Sequence, residues 1–209
     1  MAKRAFDILF SLGWLTVFLP LLLVVALLVR LRLGSPVLFI QERPGLRGRP
    51  FRMLKFRTMT DERDPDGGLL PDDRRLTPFG RFLRSTTLDE FPQMWNVLVG
   101  DMSVVGPRPL LMRYLERYDA SQARRMEVRP GVTGWAQVNG RNALTWEEKF
   151  ALDVWYVDHR TFWLDLRIVV MTFFKVFART GINAGEGKTM DEFRGKEGGG
   201  QRRAPDQAR

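Results

Sequence analysis

The chain has 209 residues, 33 Lys and Arg against 24 Asp and Glu for a formal charge of +9, one histidine and no cysteine. Disulfides and thiolate metal centres are excluded, and His159 alone cannot build a multi-histidine metal site. The cationic surplus favours an anionic partner (nucleic acid, acidic lipid or phosphorylated substrate), and 44% apolar residues suffice for one packed domain beside a membrane anchor.

From Ile8 to Val29 runs a stretch of 22 residues without a charge. A bilayer-crossing helix needs about 20. Lys3 and Arg4 precede the run, Arg30 and Arg32 follow it, and Pro20 lies near its middle. Flanking cations place both ends on the cytoplasmic side, and the proline predicts a kink. A re-entrant helix satisfies both features. A single-pass helix with a tolerated proline is the alternative, and these residues leave the two open. A cleaved signal peptide does not fit, because the run is too long and arginines stand where a small-residue cleavage site belongs.

Val37–Gln41 and Phe51–Phe56 read as two short strands around Pro44-Gly45-Leu46-Arg47-Gly48, a hairpin. Glu42 to Arg57 holds six basic residues and one acid, so the hairpin presents a cationic face, either for a ligand or simply solvated. Asp61–Asp73 reads as a mobile polar loop. Thr77–Arg84 reads as a short helix with Thr77 at its N-cap and Pro78 in first position. A second helix is expected over Thr87–Leu98, and helical patterns continue through Leu110–Tyr118 and Ala120–Glu127. Arg129–Asn142 is glycine-punctuated loop and short strand. Trp146–Asp158 and Phe162–Ala178 read as helices whose aromatics and basic neighbours suit either a membrane interface or ordinary core packing. The tail from Gly185 carries Gly198-Gly199-Gly200, and its end is read as disordered.

The sharpest local signal is Thr87-Leu88-Asp89-Glu90-Phe91-Pro92. Thr87 and Glu90 have capping-box spacing, while Pro92 favours a start nearer Glu90. Either start puts Asp89 at a helix N-terminus, where negative charge is stabilised. An ionised Asp beside phosphates can act as a carboxylate nucleophile, and Glu90 as proton acceptor or metal ligand. A plain acidic helix cap is the bland alternative. Two anionic substrates beside a carboxylate require cations to offset repulsion. Lys55, Arg57, Arg84, Arg108 and Arg141 are available, Arg108 within the rigid Gly106-Pro107-Arg108-Pro109. With no cysteine and one histidine, oxygen-bound Mg²⁺ is the natural metal.

The blocks Lys55–Met59, Arg84–Leu98, Gly100–Pro109 and Arg129–Arg141 together resemble the monotopic phosphoglycosyl transferases, bacterial sugar transferases that begin polyprenol-linked glycan assembly. The likeness runs from Lys3 to about Gly195. It implies an α+β fold: a mostly helical, membrane-associated catalytic domain with a small β-hairpin and interfacial amphipathic helices, preceded by a re-entrant membrane helix. The implied division is 1–33 re-entrant helix, 34–185 catalytic domain at the cytoplasmic membrane face, and 186–209 C-terminal segment. The implied reaction passes a phosphosugar from a UDP-sugar to polyprenol phosphate through an aspartyl-phosphosugar, releasing UMP. Asp89 matches the nucleophile and lies beside Mg²⁺, and Glu90 completes the dyad. Arg84, Arg108 and Arg141 match basic positions that hold phosphate or shape the site, and Lys55 the basic strand lysine. Arg57 joins them as a cationic candidate.

The pair Leu19-Pro20 departs from the Ser-Pro frequent at the family's helix break, so the kink rests on Pro20 alone. The stretch Gly181–Gly187 with Thr189-Met190 resembles members that use UDP-diacetylbacillosamine, favouring an N-acetylated amino sugar. Membrane lipid is an expected partner, a homodimer is allowed, and nucleic acid is not expected because no recognisable binding module is present. The competing reading is a non-catalytic membrane scaffold that recruits glycan-assembly enzymes.

Overall fold

The computed structural model of the chain describes residues 2–140, 144–177 and 192–195. Two compact units divide the chain: Met1–Arg43 with Phe51–Val104, and Pro44–Pro50 with Val105–Arg209. Helices and two two-stranded sheets make the mixed helix-and-strand fold that the sequence pattern implies.

The first unit is organised by α1 (Ala2–Leu33), a helix with Pro20 inside it. It ends at Gly34, whose φ of +81° lies in the left-handed region that glycine occupies without a Cβ clash. Phe6, Phe10, Trp14 and Phe18 recur every fourth residue and lie on one face, successive rings 5.5, 6.0 and 4.4 Å apart. Beyond Pro20, Val25, Val29 and Leu33 continue the inward face and pack with Phe56 and Leu83. Leu9, Val17, Leu23 and Leu31 are exposed on the rest of the helix. The helix is long and apolar enough to cross a membrane.

Two long-range attachments tie down its N-terminus. Arg4 donates from both terminal nitrogens to the carbonyls of Val97 and Leu98, at 2.6 and 2.7 Å. Asp7, buried, accepts from the Ser103 hydroxyl at 2.9 Å and the Val104 amide at 3.0 Å. Arg4 thus serves as a cap on the last carbonyls of α4 (Gln93–Val99), which have no partner within their own helix.

β1 (Leu38–Pro44) and β2 (Pro50–Phe56) form the expected hairpin. The stretch read as a polar loop holds more structure than that. Antiparallel bridges pair Met59 with Leu76 and Arg63 with Leu69, and α2 (Asp72–Arg75) closes it. α3 (Pro78–Ser85) begins as read, with the Thr77 hydroxyl accepting from the Gly80 amide at 3.0 Å.

In the second unit the expected helix over Leu110–Tyr118 is a 3-10 segment, Met112–Arg117. Ala120–Glu127 splits into α5 (Ala120–Ala123) and a 3-10 turn. β3 (Ser103–Val105), where the chain passes between units, was not foreseen; it pairs with β4 (Gly131–Thr133). α6 (Trp135–Asn139) stands within the stretch that the sequence pattern gives as loop and short strand. α7 (Trp146–His159) and α8 (Phe162–Phe177) match expectation, α7 starting from a Thr145–Glu148 capping box. Tyr114, Phe150 and Phe193 form a core with Trp146 and Tyr118 packed against it, so described residues of the C-terminal segment are built into this unit. The remaining tail, including Gly181–Gly187 and Thr189-Met190, lies outside the described residues.

Candidate active site

Asp89 and Glu90 sit on a 3-10 turn, Leu88–Glu90, separated from α4. This corrects the expected continuous helix. The capping box is absent too: Thr87 makes no side-chain cap, and its φ is +61°. A β-branched residue in the left-handed region is strained by about 1–3 kcal/mol and persists only where its surroundings enforce it. The enforcement is visible. Leu88 packs against the Val25–Leu83 core, and Phe91 lies edge-on to Trp14 and Phe18, centroids 5.0 and 5.5 Å away. In a 3-10 turn residues three apart eclipse. Leu88 and Phe91 therefore share one anchored side, and the two carboxylates between them project elsewhere.

Asp89 is 7% exposed. Glu90 receives a salt bridge from Lys55 Nζ at 2.7 Å, both side chains largely buried. Lys55 is placed by β2, and β2 is placed by Asn96, a residue the sequence reading missed. Its carboxamide accepts from the Leu54 amide at 3.0 Å and donates to the Arg52 carbonyl at 2.8 Å. A buried Gln followed along one helix by a buried Asn, with an acidic pair just upstream, carries no periodic signal that reveals such a strand clamp.

Arg84 is exposed on α3, its Nε donating to the Thr58 hydroxyl at 3.1 Å. The approach depends on Gly80, where a Cβ would lie 1.9 Å from the Thr58 carbonyl oxygen. Arg57 behaves differently. It is buried and donates to the carbonyls of Met59 and Ser35 at 2.8 and 2.7 Å and to Asp61 at 2.6 Å. Its guanidinium ties α1's exit to the end of β2. Lys55, Arg84, Asp89 and Glu90 thus belong to the first unit. Arg108 is exposed in the second, and Arg141 lies outside the described residues. No group of three or more His, Asp or Glu is gathered among the described residues.

The sequence pattern of the bacterial sugar transferases matches residues 1–179. The chain belongs to this family. It is a phosphoglycosyl transferase enzyme. It is 55% identical over 193 residues to the sugar transferase EpsL of Bacillus subtilis (strain 168), covering 92% of this chain and 96% of that one. The UDP-glucose:undecaprenyl-phosphate glucose-1-phosphate transferase of Klebsiella pneumoniae is 42% identical over 185 residues, 84% of this chain and 40% of that protein. The exopolysaccharide production protein ExoY of Rhizobium meliloti (strain 1021) is 39% identical over 189 residues, 82% of this chain and 84% of its own. The chain thus spans EpsL almost entirely and less than half of the Klebsiella transferase.

Proposed function

We propose that the enzyme transfers a sugar phosphate from a UDP-sugar to undecaprenyl phosphate, with Asp89 as nucleophile. The observation that carries this reading is the buried carboxylate on a strained turn beside the Lys55–Glu90 pair. In the first half-reaction an Asp89 oxygen bonds to the β-phosphorus, the bridge to the α-phosphate breaks, and its electrons leave with UMP. In the second a phosphate oxygen of the polyprenol bonds to that phosphorus and the Asp89 carboxylate leaves. Lys55 orients Glu90 and neutralises its charge beside the incoming diphosphate. Arg84 presents its planar fork to phosphate oxygens, and Arg108 and Arg141 take the same role by family resemblance.

Mg²⁺ fits the donor set. It retains waters and takes one or two carboxylates plus substrate phosphates, so a cluster of three protein carboxylates is not required. Asp89 would hold it, and the charge it supplies would offset that of the diphosphate. Arg57, occupied by its bonds to Ser35, Met59 and Asp61, is assigned the ordering of its junction rather than phosphate binding.

The enzyme is proposed to be monotopic, re-entering the cytoplasmic membrane from its cytoplasmic face. Support comes from α1. Arg4, Asp7, Trp14, Phe18, Val25, Val29 and Leu33 all engage the same unit, on both sides of Pro20. A straight crossing would carry about 20 residues away from that unit into hydrocarbon. The exposed leucines and valines of α1 would instead meet lipid. A reporter fused at Met1 should lie in the cytoplasm, and an external one refutes this topology.

The donor sugar has two readings. The resemblance of Gly181–Gly187 favours an N-acetylated amino sugar, whereas relatives from Klebsiella pneumoniae and Erwinia amylovora are named for glucose and galactose transfer. UMP release with undecaprenyl phosphate and a panel of UDP-glucose, UDP-galactose, UDP-N-acetylglucosamine, UDP-N-acetylgalactosamine and UDP-diacetylbacillosamine separates them. Asp89→Asn should abolish release with the best donor while leaving membrane association intact. Full turnover by that variant removes Asp89 from the mechanism.

A further inference from the structure

Arg108 stands between two prolines, and the backbone around it is bonded at each step. The Gly106 amide donates to the Thr133 carbonyl at 2.9 Å, and the Pro107 carbonyl accepts from the Gly131 amide at 3.0 Å. The crossing is too close for side chains: a Cβ on Gly106 would lie 2.4 Å from the Arg129 carbonyl oxygen, and one on Gly131 2.1 Å from the Gly106 nitrogen. The Arg108 carbonyl completes the series, accepting from Arg125 Nη2 at 2.7 Å.

Arg125 itself cannot reach a substrate. Its side chain is 4% exposed, and the carboxylate paired with it at 2.6 Å, on Asp153, is 5% exposed. Nε also donates to Asp153, at 3.0 Å, and Nη1 donates to the Tyr118 hydroxyl at 3.2 Å. The guanidinium lies 5.5 Å from the Phe150 ring centre and 5.8 Å from that of Tyr118. Every bond it makes faces protein, and one of them faces the backbone of an exposed arginine. A buried ion pair is weak support for stability as such, since well-packed apolar groups often serve as well. A fork that holds one carbonyl against one carboxylate is geometric support.

We propose that Arg125, locked by Asp153, is a positioning residue that aims Arg108. The proposal rests on the phosphate-binding role assigned to Arg108 above. Pro107 and Pro109 restrict the backbone torsions, and Arg125 fixes the remaining freedom of the peptide plane between them. Burial first, then the charge of Arg108, hold the Lys149 ammonium below its usual pKa, with Asp153 opposing them, so the Arg108 charge is felt beside the Arg125–Asp153 pair.

A mutant cycle on UMP release, using the best donor of the panel, tests this. Arg125→Lys keeps the charge and loses the planar fork. It should lower kcat/KM by about 10- to 100-fold, the scale of a small misplacement. In an Arg108→Ala background the same change should cost nothing further, because the group it aims is gone. Tyr118→Phe, which removes one hydroxyl and leaves the ion pair, should show a smaller deficit with the same masking, and keeps the test open if Arg125→Lys does not fold. Equal deficits in both backgrounds, or wild-type activity in Arg125→Lys, overturn the proposal. Full activity of Arg108→Ala overturns it together with the role of Arg108 and leaves the Asp89 chemistry standing, whereas turnover by Asp89→Asn breaks the functional reading itself.

Discussion

Two ion pairs of nearly equal length do different work in this enzyme. Lys55–Glu90 spans 2.7 Å with side chains 19% and 12% exposed, and Arg125–Asp153 spans 2.6 Å with side chains 4% and 5% exposed. The first joins a strand to a one-turn helix that carries Asp89, the proposed nucleophile, and it keeps an opening to solvent. The second is sealed between aromatic rings. A pair open to solvent is able to exchange partners with a charged ligand, as the proposed function requires of this one. A pair sealed from solvent can only hold what it touches. Distance alone does not separate site from scaffold; access does.

The contrast is broken most forcefully at Asp153. Asp153→Ala should destabilise the protein by about 3–5 kcal/mol, because it strands a buried guanidinium. Denaturant unfolding checks this. Lys55→Ala should cost less in folding, about 1.5–3 kcal/mol for a lost charged hydrogen bond, while UMP release falls on the order of 100-fold. If Lys55→Ala unfolds the chain as Asp153→Ala does, or leaves turnover unchanged, the two pairs are not distinct in kind.

Asn96→Ala sharpens the comparison from the side of the backbone. It removes the partner of the Leu54 amide and the Arg52 carbonyl, which lie within β2 just ahead of Lys55. An unfolding loss of about 1–3 kcal/mol is expected for the stranded groups. UMP release should fall less than in Lys55→Ala, since the lysine remains but is less well held. A larger fall would make Asn96 more than a clamp.

What was legible in the sequence is what is local. The Thr77-Pro78 start of α3, the Trp146 and Phe162 helices and the hairpin all follow from caps, turn residues and alternation within a few positions. The sequence also singles out Asp89-Glu90 as a candidate dyad, but the local geometry it suggests differs from the one observed. Thr87 and Glu90 have the spacing of a capping box, but the packing of Leu88 and Phe91 against α1 accompanies a left-handed Thr87 instead. The attachments of Arg4 and Asp7 bridge more than ninety positions along the chain, from 93 to 97, and no local pattern carries them. Arg4 was read only as a topology signal for that reason. Short β3 and α6 escaped because the close glycine crossing at Gly106, Gly131 and Gly134 decides them, not their own propensity.

The smallest effect concerns a third, exposed pairing. Glu192 accepts from Arg117 at 2.8 Å and lies 3.2 Å from Arg113, beside Phe193, whose ring is buried with Tyr114 and Phe150. The hydrogen bond from Arg117, then the charge of Arg113, hold the Glu192 carboxyl below its ordinary value of 4.5. A depressed acid contributes stability that is complete above the unfolded pKa and is lost as pH falls through the folded one. Docking of residues 192–195 should therefore weaken on acidification below about pH 4.5, with the rest of the fold intact. Amide exchange at Phe193, corrected for its intrinsic pH dependence, reads this directly. Glu192→Gln should show the weakened docking already at pH 7 and no further change across the acid range. Identical pH profiles for the two proteins would mean that the aromatic contacts of Phe193 alone hold the segment, and that the exposed pair, unlike the two compared above, has no measurable role.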